Sequence, residues 1–181
     1  MHLRLSRTAF RACRIAGMIT LIALLYACDK PAIKEPTPTL TLTGLDGTRT
    51  SLQEFRGKLL VLNVWATWCP PCRREMPSLE QLSKNVGNKR IVVAGIATDE
   101  SVNAVREYVN EYNITFRIFS DTPNVVANAL GVQVYPETLL ISPDGRIVER
   151  ISGERNWDSP DMLKLLEDAY QGKGSVADGN Q

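Results

Sequence analysis

The chain predicts an α/β layer fold: a mixed β-sheet held between helices, closed by an antiparallel hairpin and a final helix. Three observations carry that expectation. "LLVLNVWA" (59–66) and "IVVAGIA" (91–97) are continuous apolar runs of strand length, as strands buried on both faces require. Segments with apolar residues at helical spacing follow each of them. Near the end, "TLLIS" (138–142) and "RIVERI" flank a "PDG" turn, which makes a hairpin rather than a crossover.

In order, "TLTLTGLDGTRT" alternates Thr and Leu around Asp46-Gly47, a hairpin signal ahead of the first central strand. From Pro70 to about Asn85, Met76, Leu79 and Leu82 fall on one helical face, with Pro77 lacking the amide that would bond the Arg73 carbonyl, so a kink belongs there. "SVNAVREYVNEYN" opens with Ser101 as a cap and gathers Val102, Val105 and Val109 on one face. A strand "FRIF" (116–119) and a short helix "NVVANAL" (124–130) come next. "SPDMLKLLEDAY" closes the domain, with Pro160 in its first turn. Strand, helix, strand, helix, strand, helix, hairpin, helix is an α/β order.

Before the fold comes a different kind of sequence. Residues 1–28 hold Arg4, Arg7, Arg11 and Arg14 and no acid, then "IAGMITLIALLYA", thirteen uncharged residues. That is short of the roughly 20 residues a spanning helix needs and suits the apolar core of an export signal. An uncleaved amino-terminal anchor is the alternative, and either way the folded part is exported. "LYAC" (25–28) resembles the lipobox of bacterial lipoproteins, which implies lipid on Cys28. Asp29 resembles the signal that retains such proteins at the inner membrane. "DKPAIKEPTPT", with prolines at 31, 36 and 38, reads as a semi-stiff tether. "QGKGSVADGNQ" reads as a disordered tail. The expected organisation is therefore 1–28 leader, 29–38 tether, 39–171 domain and 172–181 tail. Beyond the leader, 17 basic and 20 acidic residues give a net charge of −3, with no basic patch for nucleic acid.

The chemistry-bearing stretch is "WATWCPPC" (65–72), in the loop after the first central strand, at the carboxyl edge where α/β proteins place their sites. A structural staple is a poor account of Cys69 and Cys72. A four-residue loop removes little unfolded-chain entropy, and a domain of about 130 residues does not need it. Zinc wants four ligands, and the only histidine, His2, lies in the leader, which also removes a Cys-His hydrolase. Copper(I) on the two thiolates, with Met76, stays open because soft sulfur suits it. A redox pair explains the spacing. Cys69 at a helix start has its thiolate stabilised by unpaired amides and the macrodipole, and Cys72, one turn on, can resolve a mixed disulfide.

These residues resemble a known family. "GKLLVLNVWATWCPPCRREMP", with "IVVAGIATDE", "FSDTPNVVANALGVQVYPETLLISPDGRIV" and Gly153, resembles the TlpA/ResA/CcmG type of membrane-tethered, extracytoplasmic thiol-disulfide oxidoreductases, over about residues 40–168. The resemblance implies a thioredoxin-like fold with an N-terminal β-hairpin and one inserted helix–strand unit at roughly 98–120. It also implies a cis Pro136 facing the cysteines. Val134 departs from the family's usual glycine, which bears on the shape of the substrate groove. The function so implied is reduction of protein disulfides, as in cytochrome c maturation or oxidase copper-site assembly. No cofactor enters, and a membrane thiol-electron carrier restores the pair. A disulfide oxidase or isomerase, a copper carrier and a tethered binding module are the alternatives. Tyr135 and Pro136 are expected to form the docking edge beside an exposed Trp68, Tyr135 otherwise packing the core. Plain thioredoxins carry a buried aspartate where Asn63 stands, and Asn63 cannot titrate. Glu75, one turn past Cys72, matches a family glutamate beside the site and is expected to titrate high and shuttle the proton; otherwise it is a surface charge pairing with Arg73 or Arg74.

Overall fold

The computed structural model describes residues 35–86 and 90–172. Its strands are β1 (Glu35–Pro36), β2 (Thr41–Gly44), β3 (Arg49–Ser51), β4 (Leu59–Trp65), β5 (Ile91–Ala97), β6 (Arg117–Ser120), β7 (Glu137–Ile141) and β8 (Arg146–Ser152). The helices are α1 (Pro70–Val86), α2 (Val102–Glu111), α3 (Val125–Ala129) and α4 (Pro160–Tyr170), with one 3-10 turn at Leu52–Phe55. The leader with Cys28, the tether up to residue 34 and the tail from 173 lie outside the described residues.

All eight strands share one mixed sheet in the order β1-β8-β7-β4-β5-β6-β2-β3. β4, β5 and β6 run parallel, and β7 lies antiparallel to β4 with β8 antiparallel beyond it. All seven residues of β4 are buried, as its unbroken apolar run requires. Alternation along β4 divides the core. Leu59, Val61 and Trp65 face the layer of α1, α2 and α4, through Met76, Leu79, Val105, Tyr108, Trp157 and Leu166. Leu60, Leu62 and Val64 face Phe55, Val126, Ala127 and Leu130 on the other side. Asn63 falls on the α1 side by the same alternation.

The expected elements are present, with instructive differences. Asp46 accepts from the Thr48 amide at 2.9 Å and Gly47 takes φ 85°, closing the β2–β3 hairpin. Helix α1 runs through Pro77 unbroken, the ring lying on its exposed face. Ser101 caps α2 by accepting from the Ala104 amide at 3.3 Å, and the face it buries is Val105 and Tyr108, with Val102 and Val109 half-buried at the margins. The sheet also begins earlier than the tether reading expects: Glu35 and Pro36 pair with Ile147 and Arg146 of β8. That pairing rests on backbone groups and exposed side chains, so no apolar pattern announces it.

Candidate active site

The turn from β4 into α1 places the cysteines. Cys69 immediately precedes Pro70, the first residue of α1, and its carbonyl accepts the Arg73 amide at 3.1 Å. Proline is tolerated in that first turn because its missing N–H would have no helical partner. Cys69 and Cys72 form a disulfide, with Cys69 4% exposed and Cys72 fully buried. The Cys72 amide donates to Cys69 Sγ at 3.3 Å. Thus the sulfur nearer solvent sits on a free helix amide, where negative charge is favoured.

Behind the pair lies a buried acid. Glu75, one turn beyond Cys72, is 1% exposed, so it is not a surface charge paired with Arg73 or Arg74. Asn63 Nδ2 donates to its Oε1 at 2.7 Å, while the Arg155 amide and Trp157 Nε1 each donate to Oε2 at 3.1 Å. Burial pushes the Glu75 carboxyl above the ordinary glutamate value, and the nearby charge of Glu154 pushes the same way. The three donors pull against this without reversing it. Asn63 also donates to Thr138 Oγ1 at 2.9 Å, its direct neighbour across β4 and β7. Asn63 therefore orients the acid rather than titrating beside it.

The open side of the pair is aromatic. Trp68 is 64% exposed and meets the half-buried ring of Tyr135 edge-on at 5.9 Å between centroids. Val134 beside it is also exposed. The Tyr135–Pro136 bond is cis, Pro136 is buried, and its carbonyl accepts the Gly153 amide at 2.8 Å. The loop that follows Gly153 is the one that closes over Glu75 through Arg155 and Trp157, so the Pro136 edge and the acid share one support.

Several contributors escape sequence reasoning. Asp99, buried in the loop after β5, accepts the Thr67 amide at 3.1 and 3.2 Å through its two oxygens and also takes the Thr67 hydroxyl. It fixes the cysteine loop two residues before Cys69. An acid at the carboxyl edge of the second central strand was the available signal. Trp157 and Arg155 lie some 80 residues from Glu75, and nothing local joins them. Among the described residues no group of three or more His, Cys, Asp or Glu is placed to hold a metal, and Met76 is buried in the core.

Comparison with known proteins fits this geometry. The family model described as Redoxin matches residues 32–166. The thiol-disulfide oxidoreductase ResA of Bacillus thuringiensis (strain Al Hakam) is 34% identical over 127 residues, covering 70% of this chain and 73% of that protein. The thioredoxin-like protein YneN of Bacillus subtilis is 39% identical over 126 residues, covering 67% and 74%. Among solved structures, a DsbF homologue from Corynebacterium diphtheriae superposes with a TM-score of 0.68 at 27% identity, covering 77% of this chain and 89% of its own. A helix-capped disulfide at the edge of such a sheet, on a chain so matched, belongs to one chemistry: this chain is a member of the redoxin family, a thioredoxin-like thiol-disulfide oxidoreductase of the TlpA/ResA/CcmG type.

Proposed function

We propose that the protein reduces disulfides of other proteins on the outer side of the cytoplasmic membrane, to which it is tethered. The substrates are of the kind handled in cytochrome c maturation or oxidase copper-site assembly. The Cys69 thiolate attacks one sulfur of the substrate disulfide; that bond breaks, a mixed disulfide forms, and the first substrate thiol leaves. Cys72 then gives its proton to Glu75, and its thiolate attacks the Cys69 sulfur. The second substrate sulfur departs as a thiolate and takes the proton held on Glu75, the first having taken its proton from solvent. Two electrons and two protons have passed to the substrate, and the pair is left as the Cys69–Cys72 disulfide. A membrane thiol-electron carrier returns two electrons and two protons. Trp68, Tyr135 and Pro136 form the edge on which the substrate polypeptide lies. The leader and the "LYAC" box support attachment through lipid on Cys28.

The observation that carries the reading is the buried carboxyl of Glu75 one turn beyond Cys72. The inner thiol must lose a proton before it can resolve the mixed disulfide. A carboxyl whose affinity for protons is raised by burial is a competent acceptor there. Cys72→Ser is the test: in the full chain it should accumulate a mixed disulfide through Cys69, and mass spectrometry of the trapped species names the substrate. In cells the wild-type pair should be found mostly as dithiol. A pair held oxidised, with substrates losing thiols when the protein is present, would reverse the direction to that of an oxidase.

A further inference from the structure

Beside the start of α1, the inserted helix builds a second feature. A cleft of roughly 330 Å³ opens between the start of α1 and the face of α2, lined by Pro70, Arg73, Arg74, Tyr108 and Tyr112. The rings of Tyr108 and Tyr112 stack at 4.4 Å, and the Arg73 guanidinium lies 5.7 and 5.8 Å from their centroids. Its Nη2 donates to the Tyr112 hydroxyl at 3.1 Å. The two arginines differ in one respect. Arg74 pairs with Glu154 at 2.6 Å, whereas among the described residues Arg73 has no carboxylate within ion-pair distance. A cation in the opening turns of a helix opposes the macrodipole, and α1 carries no acid in its first turn to offset it. Arg73 is thus an exposed, oriented and uncompensated guanidinium, four residues from Cys69 and on the same helical face.

We infer that this cleft is a specificity subsite that receives a carboxylate side chain of the substrate polypeptide, an Asp or Glu close in sequence to the cysteine under attack. The inference rests on the reductase reading and adds a substrate class to it. The guanidinium is a fork matched to two carboxylate oxygens, and its contacts with the two rings and the Tyr112 hydroxyl leave it few rotamers to lose. Pro70 and the ring of Tyr112 offer apolar contact to the acid's methylene groups. The polypeptide thereby meets the protein at two places near Cys69: along Tyr135 and Pro136, and at Arg73.

The test uses the full chain in detergent and three disulfide peptides that differ only in one residue beside the cystine: Glu, Gln or Lys. Wild type should favour the Glu peptide over the Lys peptide by about tenfold in kcat/KM, mostly through KM, and the ratio should shrink as salt is raised. Arg73→Gln should bring the ratio below about twofold, while Arg73→Lys keeps only part of it, because the ammonium retains the charge and loses the fork. Losing a cation near Cys69 alters thiolate formation equally for every peptide, so that effect cancels in the ratio. Equal turnover of the three peptides by wild type, or an unchanged ratio in Arg73→Gln, overturns the inference alone. Failure of wild type to reduce any of them, or insulin, overturns the reductase reading and the inference together.

Discussion

Glu75 shows how one side chain can carry opposing electrostatic demands. Water is excluded from it, which favours the neutral acid, yet three N–H donors converge on its oxygens, which favours the anion. Burial wins, and the carboxyl binds its proton more tightly folded than unfolded. The consequence for stability has a definite sign. A raised acid stabilises the fold fully below the unfolded value near 4.5, and that contribution is lost as pH rises through the higher folded value. The oxidised wild type should therefore lose melting temperature relative to Glu75→Gln as pH is taken upward from about 4.5. Using the oxidised form removes thiol titration from the comparison. Parallel melting curves across that range would show that the carboxyl is not perturbed. In the reduced protein, the same variant should slow resolution of mixed disulfides while leaving their formation at Cys69 little changed.

At the scale of elements, the site is a junction of segments distant in sequence, and the loop between β4 and α1 depends on its neighbours for its shape. Asp99 holds Thr67, Thr98 donates to the Trp65 carbonyl through both its amide and its hydroxyl, and Thr122 Oγ1 donates to the Asp99 carbonyl at 2.6 Å. Asp99→Ala leaves the Thr67 amide and hydroxyl without their partner, at a cost of about 1–3 kcal/mol. It should also change the pH profile of Cys69 alkylation, since the loop that aims the sulfur is released. A loss of stability with an unaltered profile would mean that Asp99 serves the fold alone. How much of this the sequence discloses depends on the distance over which each contact acts. The apolar runs of β4 and β5 are legible because burial on both faces demands them, and the Asp46-Gly47 turn because its conformation selects those residues. Cys69, Cys72 and Glu75 are legible as one helix face. Their distant partners are not, because Thr138, which accepts from Asn63, is placed by strand register, and Trp157, which donates to Glu75, by the loop beyond β8. Asp99 lies 32 residues from Thr67, brought to it only when β5 aligns beside β4.

For the whole molecule, the sheet gathers these elements so that the reactive pair sits at the carboxyl edge of β4 with packed layers on either side. Its outer boundary is the part least visible in the sequence. The proline-rich stretch reads as tether up to residue 38, yet β1 covers the edge of β8, Thr37 donates to the Gly145 carbonyl through its amide at 3.1 Å and its hydroxyl at 2.9 Å, and the Leu40 carbonyl accepts the Leu52 amide at 2.9 Å. Glu35 adds an ion pair to Arg150 at 3.7 Å, which at that exposure contributes little. Two truncations separate tether from fold. A chain beginning at Glu35 should melt where the full chain does and turn over small disulfides at the same rate. A chain beginning at Thr41 loses the hydrogen bonds of residues 35–40, about 2–4 kcal/mol, and should melt roughly 5–10 °C lower. It also bares the backbone edge of β8, a template for pairing with a second copy, so it should associate at concentrations where the longer chain stays monodisperse. Its thiol chemistry should survive, because residues 35–37 hydrogen-bond only to the start of β8 and the turn before it, whereas the loop that supports Pro136 and Glu75 leaves from the other end of β8. Equal melting temperatures for the two truncations would place the start of the fold at β2 and return residues 35–40 to the tether.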